Sequence, residues 1–264
     1  MKRNLILLIS ILLFTGCVLE EVTVPTCYPV SATLFDKTST NFTFEADDAG
    51  GQRLSIISVF HGTDSSYTYT YNYSGNQITT ITKLEDGESE VYEATYSATK
   101  LTKLTQREPI NNSVALEIRI VYNGNNISNY EIWFASVTGT LYQISHISYT
   151  YDSEGNITKS KSNIDLAAIF TLAFAEEPTS YSPILLTSSE YEVSGSLNPL
   201  YNTFFLDRPD QSIMRNLPLS ITLNDELNGG VIRTENYSIE TDANGYPTKA
   251  ISGAKYVEAT YMCN

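Results

Sequence analysis

From Phe42 onward, apolar and polar residues alternate in short runs, each closed by a cluster of Gly, Asn, Asp or Ser. Such period-two runs predict β-strands with one buried face, joined by tight turns. The clearest unit is Ile147–Lys159, where Ile147, Tyr149 and Tyr151 alternate with Ser148, Thr150 and Asp152. Asp152-Ser153-Glu154-Gly155 then supplies an acid that can bond its own turn and a glycine free to take positive φ. Further units run over Phe42–Phe60, Tyr67–Leu84, Val91–Leu104, Leu116–Phe134 and Tyr237–Ile251. The stripe Tyr67, Tyr69, Tyr71 and Tyr73 is either a core face packed beneath a helix, the favoured reading, or an exposed binding face.

Five units align on the first apolar residue after the turn: Ile78, Leu101, Ile127, Ile157 and Pro247. One place later each has a hydroxyl: Thr79, Thr102, Ser128, Thr158 and Thr248. Two places earlier stand Asn76, Thr99, Asn125, Gly155 and Gly245. Four of these five are the residue types that enter the left-handed region at least cost, so the positive φ is expected there. Agreement of this kind marks an internal repeat. In the Ile157 unit the incoming apolar residues sit one place further from the anchor. A one-residue shift turns every side chain to the other face, so a bulge or a loop of different length is expected there.

Two stretches leave the pattern. Ile164–Ala175 is apolar and rich in helix formers, with Asn163 and Asp165 as candidate caps; it reads as a short helix covering the sheet, or alternatively as a buried strand. Asn198–Leu219 holds Pro199, Pro209 and Pro218 and reads as a long loop with a helical turn at Ser212–Asn216, before a strand from Ser220.

Composition adds to this picture. Nineteen Tyr and ten Phe suit half-buried sheet faces, with the Tyr rings packed and their hydroxyls wet. A net charge of −14 argues against nucleic acid and anionic headgroups as partners. Lys2 and Arg3 followed by apolar Leu5–Phe14 read as a signal peptide over residues 1–16, too short in its apolar core to span a bilayer comfortably. Phe14-Thr15-Gly16-Cys17 resembles a lipobox, with Phe14 in place of the usual Leu and Cys17 as lipid acceptor. Residues 17–29 then read as a lipidated tether and 30–264 as one domain. The remaining pair, Cys27 and Cys263, suggests a disulfide in an exported protein, or two free thiols.

The Tyr-rich strands, the Tyr151-Asp152 turn and the return-strand Thr resemble the YD-repeat hairpins of Rhs-type surface proteins. The chain as a whole is similar to Bacteroidetes-type surface lipoproteins of unknown function. That resemblance rests on the lipobox at Cys17, the repeated hairpins, Asn198-Pro199-Leu200-Tyr201, Asn216-Leu217-Pro218, Gly245-Tyr246-Pro247-Thr248 and Tyr261-Met262-Cys263, and the acids Glu20 and Glu21 behind Cys17 are similar to the surface-export signal of such lipoproteins. It implies an antiparallel β domain displayed at the cell outer membrane, with no activity attached.

Candidate chemistry is sparse. His61 near Asp64 could act as a base, but no G-x-S-x-G nucleophile motif occurs; His146 should lie on the face opposite Ile147 and Tyr149, in solvent. No H-E-x-x-H and no Cys pair at metal spacing occurs, so no metal site and no cofactor is expected. Glu131 and Asp152 are among many acids, and a glycosidase pair has no distinguishing spacing here. Asp47-Asp48 and Asp242–Gly245 read as turn acids rather than calcium ligands. Trp133, the single Trp, is either core or a ligand platform.

The expectation is an all-β antiparallel meander of repeated hairpins, a long twisted or curled sheet with one short helix on it. In function it is a non-enzymatic binding or structural surface lipoprotein, held to the membrane by its lipid alone, with an extracellular glycan or protein as ligand. The alternatives are a glycan-binding accessory protein of a polysaccharide-uptake system, centred on Trp133, and a secreted hydrolase using a carboxylate pair.

Overall fold

The computed structural model describes residues 27–33, 38–46, 52–61, 65–174, 183–198, 214–253 and 255–263. Within them, strands β1 (Cys27–Thr33), β2 (Thr38–Ala46), β3 (Gln52–His61), β4 (Ser65–Ser74), β5 (Gln77–Glu85) and β6 (Glu88–Ser97) come first. There follow β7 (Lys100–Arg107), β8 (Val114–Asn123), β9 (Asn126–Ala135), β10 (Leu141–Tyr151) and β11 (Ile157–Ile164). Helix α1 (Leu166–Phe174) separates these from β12 (Ile184–Leu197), β13 (Asn216–Asp225), β14 (Val231–Asn236), β15 (Ser238–Thr241), β16 (Pro247–Ser252) and β17 (Lys255–Cys263). Among the described residues, the expected all-β meander with one short helix is what forms.

Each strand from β1 to β13 pairs antiparallel with the next, β15 pairs with β16, and β17 pairs with both β16 and β1, so the sheet curls round into a near-barrel. One junction differs. The β13–β14 ladder runs to Ser220↔Asn236 and one bond beyond, from Tyr237 N–H to Leu219 O (2.7 Å); from Ser238 the chain pairs with β16 instead. Phe42, Ile57, Tyr69, Ile81, Leu104, Ile120, Tyr130 and Ile157 share one core on the enclosed face. The opposite face carries mainly Thr, Ser, Asn, Lys and Glu.

The repeat has a physical cause at the hydroxyl position. In every aligned hairpin the register slips by one residue at the same point, and the extra residue is the Ser or Thr after the anchor. Its hydroxyl donates to the carbonyl opposite: Thr79 to Asn72 (3.1 Å), Thr102 to Thr95 (3.1 Å), Ser128 to Val121 (3.2 Å), Thr158 to Thr150 (3.2 Å) and Thr248 to Glu240 (3.3 Å). Ser55, donating to Thr43 O (3.0 Å) after anchor Leu54, shows that the first hairpin obeys the same rule. A bulge disrupts the ladder locally, and the side chain supplies a bond there. Thr158→Val, which keeps shape and removes the donor, should cost about 0.5–1 kcal/mol in urea unfolding; an unchanged midpoint would show that water does the same work.

Tyrosines then join one hairpin to the next. Tyr73 donates to Leu54 O (2.6 Å), Tyr122 to Leu101 O (3.0 Å), Tyr151 to Ile127 O (2.7 Å) and Tyr261 to Pro247 O (2.5 Å). Tyr96 instead accepts from Ile78 N–H (2.9 Å). Each hydroxyl reaches the anchor of the preceding hairpin, so these hydroxyls are not the solvent-facing groups the composition suggested. Burial pushes the Tyr73 hydroxyl up to about 12, with Arg53 opposing and Tyr96 and Glu45 adding to the rise. In return, the residue before the anchor caps the next turn: Arg53 donates to Gly75 O (2.5 Å), Gln77 to Ala98 O (3.1 Å) and Lys100 to Gly124 O.

Several expectations need correction. Positive φ falls on Gly75, Ala98 and Gly124, one place before Asn76, Thr99 and Asn125, because these are two-residue turns with the left-handed residue first. Gly155 and Gly245 do take positive φ, in loops that are longer (Tyr151↔Ile157 and Thr241↔Pro247) and account for the phase shift at Ile157. The helix is capped by Asp165, whose Oδ1 accepts from Ala167 and Ala168 N–H (both 3.0 Å). It packs against β10, not over the Tyr67–Tyr73 stripe, of which Tyr69 and Tyr71 are buried within the sheet's own core. Strand β13 begins at Asn216, four residues before the expected start, so no helical turn reaches Asn216; Ser212 and Ile213 lie outside the described residues. Cys27–Pro29, read as tether, belong to β1.

Candidate functional site

A group of linked charged side chains lies on the outward face across β7, β8 and β9. In β8 the run Leu116-Glu117-Ile118-Arg119-Ile120 alternates, sending Ile118 and Ile120 into the core and Glu117 and Arg119 outward. On the neighbouring strands Lys103 faces Arg119, Trp133 faces Glu117, and Glu131 faces Arg119.

Glu117 is the hub. Its Oε1 accepts from Lys103 Nζ (2.8 Å), and its Oε2 from Arg119 Nε (2.9 Å) and an Arg119 terminal nitrogen (2.7 Å). Its side chain is 7% exposed, against about a third for both cations. Burial alone would raise its carboxyl; the bonds from Lys103 and Arg119 outweigh that and hold it below the usual carboxylate range. The Arg119 guanidinium also lies 4.0 Å from the Trp133 ring centroid, a cation–π stack. The indole N–H donates to Glu131 Oε2 (3.0 Å).

Trp133 is therefore half-buried on the outward face, not core, and one of its partners is a cation already fixed by Glu117. No second Trp, Tyr or Phe ring shares this face on β7–β11 among the described residues, so the cluster of such rings that would favour sugar stacking is absent there. His146 lies on the same face, opposite Glu131 in register, as the alternation required. His61 pairs with Thr38 and Ser65 in the ladder. The arrangement offers a charge-balanced patch of donors and acceptors with one indole.

The loop acids are occupied in turns. Asp152 Oδ1 accepts from Glu154 N–H (2.9 Å) and Asn156 N–H (2.8 Å), and Asp242 Oδ1 accepts from Asn244 and Tyr246 N–H (both 2.9 Å). Burial opposes the Asp152 charge, but the bonds from Asn156, Glu154 and Gly155 lower its carboxyl. Asn156 is buried: its amide donates to Asp152 (3.2 Å) and its oxygen accepts Asn216 N–H (3.1 Å), pinning this turn under the start of β13. Among the described residues no group of three His, Cys, Asp or Glu could hold a metal ion. Cys17, Asp47 and Asp48 lie outside the described residues. Cys27 and Cys263 are direct partners in the β1–β17 ladder. The Lys103–Glu117–Arg119 group was not anticipated; its signal is the pair of charges alternating with Ile118 and Ile120 in an apolar strand.

No protein-family model matches the chain, and no curated protein matches it in sequence. Among solved structures, a weak likeness to TcdB2-TccC3 without its hypervariable C-terminal region has a TM-score of 0.35 at 13% identity; it covers 84% of this chain and 10% of that one. A porin-like protein from Bacteroides vulgatus ATCC 8482 has a TM-score of 0.51 at 13% identity, covering 89% of this chain and 99% of its own. A porin-like protein from Bacteroides uniformis ATCC 8492 also reaches 0.51 at 12% identity, covering 92% and 98%. In fold, the chain is similar to these two porin-like proteins over nearly their whole length.

Proposed function

We propose that the chain is a non-enzymatic surface protein of the outer membrane, tethered by lipid on Cys17, whose curled polar wall serves as a binding or structural surface. The observation that carries this reading is the outward face itself. A barrel that crosses lipid needs an apolar outer band, whereas this face presents Lys103, Glu117, Arg119, Arg107 and Glu93 in mutual ion pairs. The porin-like neighbours fit an outer-membrane setting, and the polar face favours attachment over insertion. The repeat's Thr, Tyr and loop Asp groups are engaged within the fold, which leaves little for catalysis. Labelling cells with an alkynyl fatty acid should tag the protein, and Cys17→Ser should abolish the tag and release the chain from the membrane fraction. Retention of Cys17→Ser in the outer membrane would favour a spanning barrel instead.

The second reading, a glycan-binding accessory protein, is favoured by the outward position of Trp133. A glycan array hit lost in Trp133→Ala would establish it.

We further propose that Cys27 and Cys263 are bonded. Directly opposed residues in an antiparallel ladder have Cα atoms about 4.5–5.5 Å apart, within bridging range. Such a bond would close nearly the whole domain and contribute up to about 5 kcal/mol by chain entropy. Reductant should lower the melting temperature of the wild type and leave that of Cys263→Ser unchanged; equal melting with and without reductant excludes a contribution.

A further inference from the structure

We infer that the outer edge of β14 is a self-association site at which two copies of this chain pair as antiparallel strands. β14 carries a ladder on one side, to Ser220–Asn224 of β13; among the described residues no ladder forms on its other side. Its residues are exposed, with Val231 at 61% and Ile232 at 52%. An accessible edge with β-branched residues is a template for another strand.

The backbone orientation identifies which residues face outward. Tyr237 N–H bonds to Leu219 O, so Tyr237, Glu235 and Arg233 turn their backbone groups toward β13. Thr234 and Asn236, between them, turn theirs to the free edge.

The side chains select a second copy of the same segment. Pairing about a two-fold axis at Thr234 sets Thr234 opposite Thr234 of the second copy, and each Arg233 opposite Glu235 of the other. Both charge pairs are then complementary, and the threonines extend a row already begun by Thr222 and Thr234, whose hydroxyls are 3.2 Å apart. Within one copy Arg233 and Glu235 are 3.6 Å apart, and Arg233 remains 62% exposed, so its guanidinium is accessible to a second carboxylate. Such an interface uses the same patch on both copies and closes as a dimer.

The test uses the mature chain with Cys17→Ser, so that lipid cannot drive association. Analytical ultracentrifugation should show a concentration-dependent dimer. Arg233→Glu, which sets acid against acid twice, should weaken it by at least about tenfold, and adding Glu235→Arg should restore it. Thr234→Cys should yield an intermolecular disulfide under mild oxidation, as the two-fold places those Cα atoms within bridging range, whereas Asn228→Cys in the preceding turn should not. A monomer at all concentrations, a dimer indifferent to Arg233→Glu, or equal cross-linking at Asn228 would each overturn the proposal. None of these outcomes bears on membrane attachment.

Discussion

Ile81→Ala should lower the unfolding free energy by about 3–4 kcal/mol, the range for truncating a fully buried branched side chain. Ile81 has no exposed surface and lies in register between Tyr71 on β4 and Tyr92 on β6, both buried. Two rings anchored in neighbouring strands cannot close over the void without moving the sheet, so the cavity persists and adds to the lost transfer energy. Leu84, three residues on in the same strand, is 49% exposed on the other face; Leu84→Ala should change stability by less than about 0.5 kcal/mol. Urea titration of both variants tests which face is enclosed. Comparable losses would mean that both are covered and that the outward wall is not a solvent face.

Glu117→Gln should cost about 2–3 kcal/mol at neutral pH, because two cations would lose their shared anion while an amide replaces it in a buried position. The lower end is favoured, since Lys103 and Arg119 are each about a third exposed and screened by solvent. The sign of the pH dependence follows from the depressed carboxyl. Its contribution is complete above the unfolded value of about 4.3 and is lost as pH falls through the lower folded value. Wild-type stability should therefore drop across that acid window more steeply than that of Glu117→Gln. Parallel pH profiles for the two proteins would show that the Lys103–Glu117–Arg119 network does not contribute through charge.

The hairpins were legible because strand alternation and turn chemistry are local, and the repeated Thr after each anchor marks a recurring backbone defect. What that Thr does was not legible, since its acceptor is the carbonyl seven or eight residues earlier, across a register slip. The left-handed position was misplaced for a related reason. Ala98 takes φ 55° with no composition signal, and Asn76 and Asn125 drew attention from Gly75 and Gly124 beside them. The tyrosine clasps escaped because each partner belongs to the preceding hairpin, 14 to 24 residues away. The outward charge group was hidden by abundance: with thirty acids in the chain, nothing but strand pairing distinguishes Glu117.

The pairing of β1 with both β2 and β17 carries a consequence for biogenesis. β1 cannot complete its pairing until β17, far along the chain, has been made, so the sheet stays open-sided until then. Contacts that span almost the full length form slowly, and unpaired rims invite mispairing meanwhile. Loss of β17 alone should therefore damage yield and solubility far beyond what nine missing residues would suggest.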